Sequence, residues 1–228
     1  SKYAIWYQVL MLEYQQQQFT DLYKDARACS ALFPTLANVQ LLYTIACVQT
    51  GRYQEALDAA DIGKELVVND PATEAEFYAQ KGEALFLLKD IPQGVASYEK
   101  ALQLDPNNAL TKNNYAMRLA LANHELDKAR KLIDEAIENA PKQAPFCDTK
   151  GIVLFQQGKY TEAFTYFELA NQLQPNDRNF VEHLGDALFK LGDVQQALLY
   201  WKQAKNLGSK NTMLDKKIQT KTYYAPVY

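Results

Sequence analysis

Along most of this chain the apolar residues recur three and four positions apart, as in Tyr160, Ala163, Phe164, Phe167 and Ala170. That spacing lines one face of a helix and leaves the remainder polar. The amphipathic stretches come in pairs, joined by short polar turns. Gly158-Lys159 and Gly192-Asp193 are two such turns, where glycine supplies the left-handed conformation that ends a helix. The pattern predicts an all-α chain built of helix-turn-helix units.

The units repeat. Residues from Ala75 read AEFYAQKGEALFLLKDIPQGVASYEKALQLDPNN, those from Ala144 read APFCDTKGIVLFQQGKYTEAFTYFELANQLQPND, and those from Arg178 read RNFVEHLGDALFKLGDVQQALLYWKQAKNLGSKN. Each copy is 34 residues long, and a small residue in its first helix (Gly82, Gly151, Gly185) is followed twelve positions later by Gly94, Ala163 or Ala197. Seven further on stand Ala101, Ala170 and Ala204. Pro106 and Pro175 then stop the second helix of two copies, because the residue before proline is pushed out of the α region. The third copy has Ser209 in that place, after Gly208. The same ruler finds three fainter copies: Ala116, Ala129 and Ala136 with Pro141, one residue being inserted near Asn123 and His124; Thr44, Ala56 and Gly63, with the stop displaced to Pro71; and Leu10, Leu22 and Cys29 with Pro34. About six repeats are expected, at residues 3–36, 37–74, 75–108, 109–143, 144–177 and 178–210, with a capping helix over 211–224.

A period of this length signals stacked supersecondary units. Small residues at the crossings let two helix axes approach, while Tyr98, Phe167 and Trp201 fill the space between adjacent pairs. One pair cannot bury its own apolar face, so stability comes from neighbour on neighbour. These residues resemble the tetratricopeptide repeat (TPR) family over nearly the whole chain. Departures are Gly94 where alanine is usual, the missing tryptophan early in most first helices, and swapped large and small residues around Leu22 and Ala26. The last unit, with EHLGDALFKLG and YWKQAKNLG, also looks like the final repeat of long bacterial TPR proteins. The resemblance implies a right-handed α-solenoid, a single domain over residues 1–228, whose first helices line a concave groove that holds other polypeptides.

Composition narrows the partners. With 228 residues, 48% of them hydrophobic, the chain has enough apolar surface to fold, and a formal net charge of −3 gives no broad basic field for phosphate backbones. Neither nucleic acid nor an acidic membrane surface is expected. Cys29, Cys47 and Cys147 are widely spaced and lie at interior helix positions, so they are read as small buried hydrophobes that leave the compartment open. Apolar runs such as Ala84–Leu88 and Ile152–Phe155 are too short to span a membrane. The helical pattern begins within the first few residues without a basic leader, as in a cut fragment or a mature form.

Candidate chemistry is sparse. His124 falls in a turn, and His183 lies on a first helix, read as solvent-facing, with Asp186 three residues on and no third metal ligand in sight. GIVLFQQGK from Gly151 separates its glycines by six residues inside a helix, which is not a phosphate loop. No Gly-x-Ser-x-Gly elbow occurs, and the carboxylates are scattered over helix faces. No catalytic residue, metal or cofactor is expected, and the chain reads as a non-enzyme.

The resemblance puts the binding face on the first helices. Counted from the small column, it comprises Tyr7, Met11 and Tyr14; Leu41, Ile45 and Val48; Ala79, Glu83 and Phe86; Asn113, Asn114 and Met117; Asp148, Ile152 and Phe155; Glu182, Asp186 and Phe189. Val48, Phe86, Phe155 and Phe189 fit core between neighbours as well as a groove wall. The Lys, Arg and Asn set with which some relatives grip a partner's C-terminal carboxylate is missing; Glu83, Asp148, Glu182 and Asp186 stand there instead, which points to a partner of apolar and basic character. After Gly208, Leu214 and Ile218 would face inward, with Lys216, Lys217 and Lys221 on a solvated side, and the tail Ala225–Tyr228 is expected to fray. Two functions are open: a scaffold that binds a segment of another protein, or a structural or regulatory arm of a longer one.

Overall fold

The computed structural model describes residues 2–225. The described residues are helical throughout, joined by turns: α1 (Lys2–Gln15), α2 (Phe19–Leu32), α3 (Ala37–Gln49), α4 (Tyr53–Glu65), α5 (Pro71–Leu87), α6 (Ile91–Leu104), α7 (Ala109–Leu121), α8 (Leu126–Asn139), α9 (Ala144–Gln156), α10 (Tyr160–Leu173), α11 (Arg178–Lys190), α12 (Val194–Asn206) and α13 (Leu214–Thr220). The fold is an all-α stack of helix pairs. It divides into two compact units, residues 1–111 and 112–228.

One backbone feature recurs with the sequence period. The residue closing the first helix of each pair has positive φ: Gln17 (56°), Gly51 (77°), Lys89 (67°), Asn123 (49°), Gly158 (76°) and Gly192 (94°). Only three of the six are glycines, so the turn geometry is imposed by the pair rather than by glycine. The inserted residue near His124 is absorbed by a second left-handed position, Glu125 at 43°. Side chains other than glycine resist this region by about 1–2 kcal/mol, partly offset by the entropy of an unfolded glycine. Gln17→Gly is therefore expected to stabilise the chain by about 0.5 kcal/mol, read as a small rise in denaturant midpoint.

Helix starts follow capping chemistry. The Asp70 side chain accepts from Thr73 N, Asp90 from Gln93 N, Asp177 from Asn179 and Phe180 N, and Asp193 from Gln196 N. This changes the meaning of Pro71. It stands in the first turn of α5, where its missing N–H costs nothing, while α4 has already ended at Glu65. Pro71 thus opens a longer helix instead of stopping the one before.

In the first unit Leu10, Leu22, Ala26, Cys29, Val39, Leu42 and Ala46 form one buried cluster, and Cys47, Val48, Ala56 and Ala84 another. Val48 is therefore core. The glycine column is a set of ring seats: a Cβ on Gly82 would stand 2.6 Å from the Tyr98 ring, and one on Gly94 the same distance from Phe86. Gly63 gives the same room to Phe77. In the second unit Gly151 seats Phe167 and Gly185 seats Trp201, while Val181, Ala197, Trp201, Ala204 and Leu214 form the last cluster. All three cysteines are buried and free.

The C-terminal helix differs from the expectation. It covers Leu214–Thr220, not 211–224. Ser209 and Asn211 are drawn into side-chain hydrogen bonds ahead of it, and Lys221 at φ 53° ends it. The expected fraying of Ala225–Tyr228 concerns, beyond Ala225, residues outside those described.

Candidate functional site

The face expected to meet a partner is not uniform. In the first unit Tyr7 and Met11 are half-buried against the first core cluster, and Ala79 and Phe86 are buried. Phe86 lies over Gly94 and beside Tyr98, with ring centroids 6.0 Å apart, so it holds α5 to α6. Glu83 accepts a hydrogen bond from Tyr98 Oη at 2.8 Å. Leu41 and Ile45, by contrast, are half-exposed. They lie four residues apart on α3, one above the other, free to meet an apolar side chain.

In the second unit the same columns are more polar. Asn113 is buried and donates from Nδ2 to Asn114 Oδ1 at 3.0 Å, while its own Oδ1 accepts nothing among the described residues. Met117 and Phe155 are half-buried. Asp148, Ile152, Glu182 and Asp186 are buried, and Phe189 packs its ring 5.7 Å from Trp201.

What covers Glu182 and Asp186 is the chain's own C-terminal segment. Lys217, expected on a solvated face, has no exposed surface at all. Its Nζ lies 2.9 Å from Glu182 Oε1 and 2.7 and 2.8 Å from the two Asp186 oxygens. Glu182 also accepts from Ser209 Oγ at 2.8 Å and from Asn211 Nδ2, and Asp186 from Trp201 Nε1 at 2.8 Å. Burial works against both carboxylates. For Glu182, Lys217, Ser209 and Asn211 outweigh it and hold the group below its ordinary range, whereas burial still pushes Asp186 up to about 6 against the pull of Lys217. A fully buried lysine is tolerated because each of its three donors has a carboxylate oxygen to meet.

His183 is likewise not solvent-facing as expected. Its Nδ1 lies 2.7 Å from Asp148 Oδ1, one repeat earlier, and its ring packs against Phe167. Burial disfavours the imidazolium, but Asp148, with Asp186 and Glu182 behind it, prevails and lifts the group to about 9. The sign follows: the stabilisation is complete below the unfolded value of 6.5 and is lost as pH rises through 9. Asp148→Asn is expected to remove about 2 kcal/mol at pH 6 and little at pH 10. Urea titrations of both proteins across this range check it, and the difference between them cancels other groups such as Lys150, which burial lowers to about 8.

A register rule connects these contacts. Asp148 to His183 and Glu182 to Lys217 are each 35 residues apart, and His183 and Lys217 share a column 34 apart. An acid on one first helix meets a base one repeat and one residue later. By that rule α13 stands where a further first helix would stand. Among the described residues no group of three or more His, Cys, Asp or Glu is placed to hold a metal ion, and no helix is long and apolar enough to cross a membrane.

Family models described as Tetratricopeptide repeat match residues 75–108, 116–178 and 149–209. The chain belongs to the tetratricopeptide repeat family. This TPR chain is 32% identical over 143 residues to the TPR repeat-containing protein MJ1428 of Methanocaldococcus jannaschii, a match covering 62% of this chain and 24% of that protein. It is 28% identical over 176 residues to the mitochondrial import receptor subunit TOM70 of Rattus norvegicus, covering 76% of this chain and 28% of that protein. The TPR chain thus spans about a quarter of the length of these curated relatives. Among solved structures it resembles bacterial TPR folds such as Pseudomonas aeruginosa pilF, with a TM-score of 0.65 at 21% identity, covering 81% of this chain and 86% of that one. Membership of this family makes it, in general terms, a protein-protein interaction scaffold.

Proposed function

We propose that this chain holds a segment of another polypeptide against the face formed by the first helices of its pairs, and that it is not an enzyme. The observation that carries the reading is the pair Leu41 and Ile45, half-exposed and four residues apart on one side of a first helix. Asn113, with a buried acceptor left open, adds a point at which an extended backbone N–H would be received. A similar stretch occurs in a protein named as an import receptor subunit, which supports protein as the class of partner.

Affinity capture from the source cell's lysate tests this, with the parent chain against Leu41→Asp/Ile45→Asp. Phe86 is unsuited to such a variant because it is core. Polypeptides retained by the parent and lost by a variant of unchanged helical content support the reading. Retention by both sinks it.

A second reading, that the chain works by assembly as an arm of a longer protein, is favoured by a separate surface. Ile5, Val9, Leu12 and Leu32 are exposed on α1 and α2, and Ile5, Val9 and Leu32 share a cavity of about 660 Å³ with Trp6 and Phe33. Apolar side chains gathered in this way mark a contact surface.

A further inference from the structure

The segment that buries Glu182 and Asp186 contains one short helix. α13 is seven residues long, far too short to persist unaided, and no second helix pairs with it among the described residues. Leu214 is its one buried apolar anchor, with Ile218 half-buried beside it. Beyond it the chain turns back over the expected binding face. The Tyr223 ring lies 5.5 Å from that of Phe155, with Lys190 Nζ 4.6 Å from its centroid. The fit is incomplete: a cavity of about 80 Å³ remains, lined by Ile152, Phe155, Phe167, His183, Asp186 and Tyr223. That is room for water or for a larger side chain.

We propose that residues 211–225 are an internal ligand of the second unit, and that the partner segment which displaces them carries a lysine for the Glu182–Asp186 pair and, six residues later, an aromatic ring for Phe155. The proposal rests on the scaffold reading above and names its ligand chemistry. Lysine is specified because three carboxylate oxygens converge on an Nζ whose side chain is fully buried; the planar fork of arginine presents its donors differently. The aromatic is specified by the Phe155 ring and by the unfilled cavity beside it, which a bulkier side chain than that of Tyr223 would fill. Charge complementarity agrees: Glu182 and Asp186 are acids of this face, and the segment seated on them supplies the base.

The test keeps the whole chain. A protease site is inserted at exposed Lys210, the purified protein is nicked there, and exchange of the cut tail against a fluorescein-labelled peptide of residues 211–225 is followed by anisotropy. The nicked protein is expected to stay helical, to take up the peptide, and to bind its Lys217→Met version roughly 30-fold more weakly or worse, the loss typical of truncating one side of a buried charge pair. Equal binding of the two peptides would overturn lysine recognition. A tail that never exchanges, or a nicked chain that unfolds, would show a structural cap and overturn the internal ligand. If either happened while Leu41→Asp/Ile45→Asp still lost its captured polypeptides, this inference would fail and the scaffold reading would stand.

Discussion

Lys217→Ala is expected to cost about 3 kcal/mol of folding stability, read as a lowered urea midpoint with an unchanged slope. The lysine is fully buried, and its loss leaves Glu182 and Asp186 together without the ammonium that contacts both. Two carboxylates in that position repel each other and have lost much of their hydration, so the penalty exceeds the value of any one contact. It falls at the low end of the range for broken buried pairs because α13 is short and can lift, letting water return. The same reasoning predicts partial recovery in Lys217→Ala/Asp186→Asn. The amide oxygen still accepts from Trp201 Nε1, and the repulsion is gone. A Lys217→Ala chain as stable as the parent would mean that the acids are already solvated.

The second large effect is expected at the helix crossings. Gly151→Leu should destabilise by about 3 kcal/mol or more, because even the first carbon of a side chain there runs into the Phe167 ring. That ring is itself buried at the crossing of the two helices. Gly158→Ala serves as the control. At φ 76° it is strained, yet nothing stands within 4 Å of an added Cβ, so its cost is limited to about 1 kcal/mol. A comparison of the two melting temperatures separates a packing requirement from a backbone one. Equal losses would contradict the register in which Gly151 faces Phe167.

The periodic part of this architecture was legible because its cause is local. Small residues are demanded where a ring from the next helix crosses, so Gly82, Gly151 and Gly185 mark the register by themselves, and the left-handed turns fall at the same repeat position even where Gln17, Lys89 and Asn123 replace glycine. Pro71 reads as a stop for an equally local reason: proline both stops and opens helices, and only the Asp70 cap decides between them.

The site was less legible. Lys217 and His183 looked solvent-facing because lysine and histidine on amphipathic helices usually are; what buries them are acids 31 to 35 residues away. A signal did exist. His183 and Lys217 share a column 34 residues apart, and each follows an acid by 35, a coincidence to be sought once a period is known. Phe86 and Val48 belong to the core, which periodicity alone could not decide, since groove and core positions of a first helix lie within one turn of each other.

The most direct test of the scaffold claim is site-specific photocrosslinking in the source cell. A photoreactive phenylalanine is placed in turn at Ile45 and Phe155, on the expected binding face, and at Glu99 and Glu168, on the exposed sides of α6 and α10. The account predicts covalent adducts to other polypeptides from Ile45, adducts from Phe155 that increase when the C-terminal segment is displaced, and none from Glu99 or Glu168. Adducts confined to Glu99 and Glu168 would contradict it.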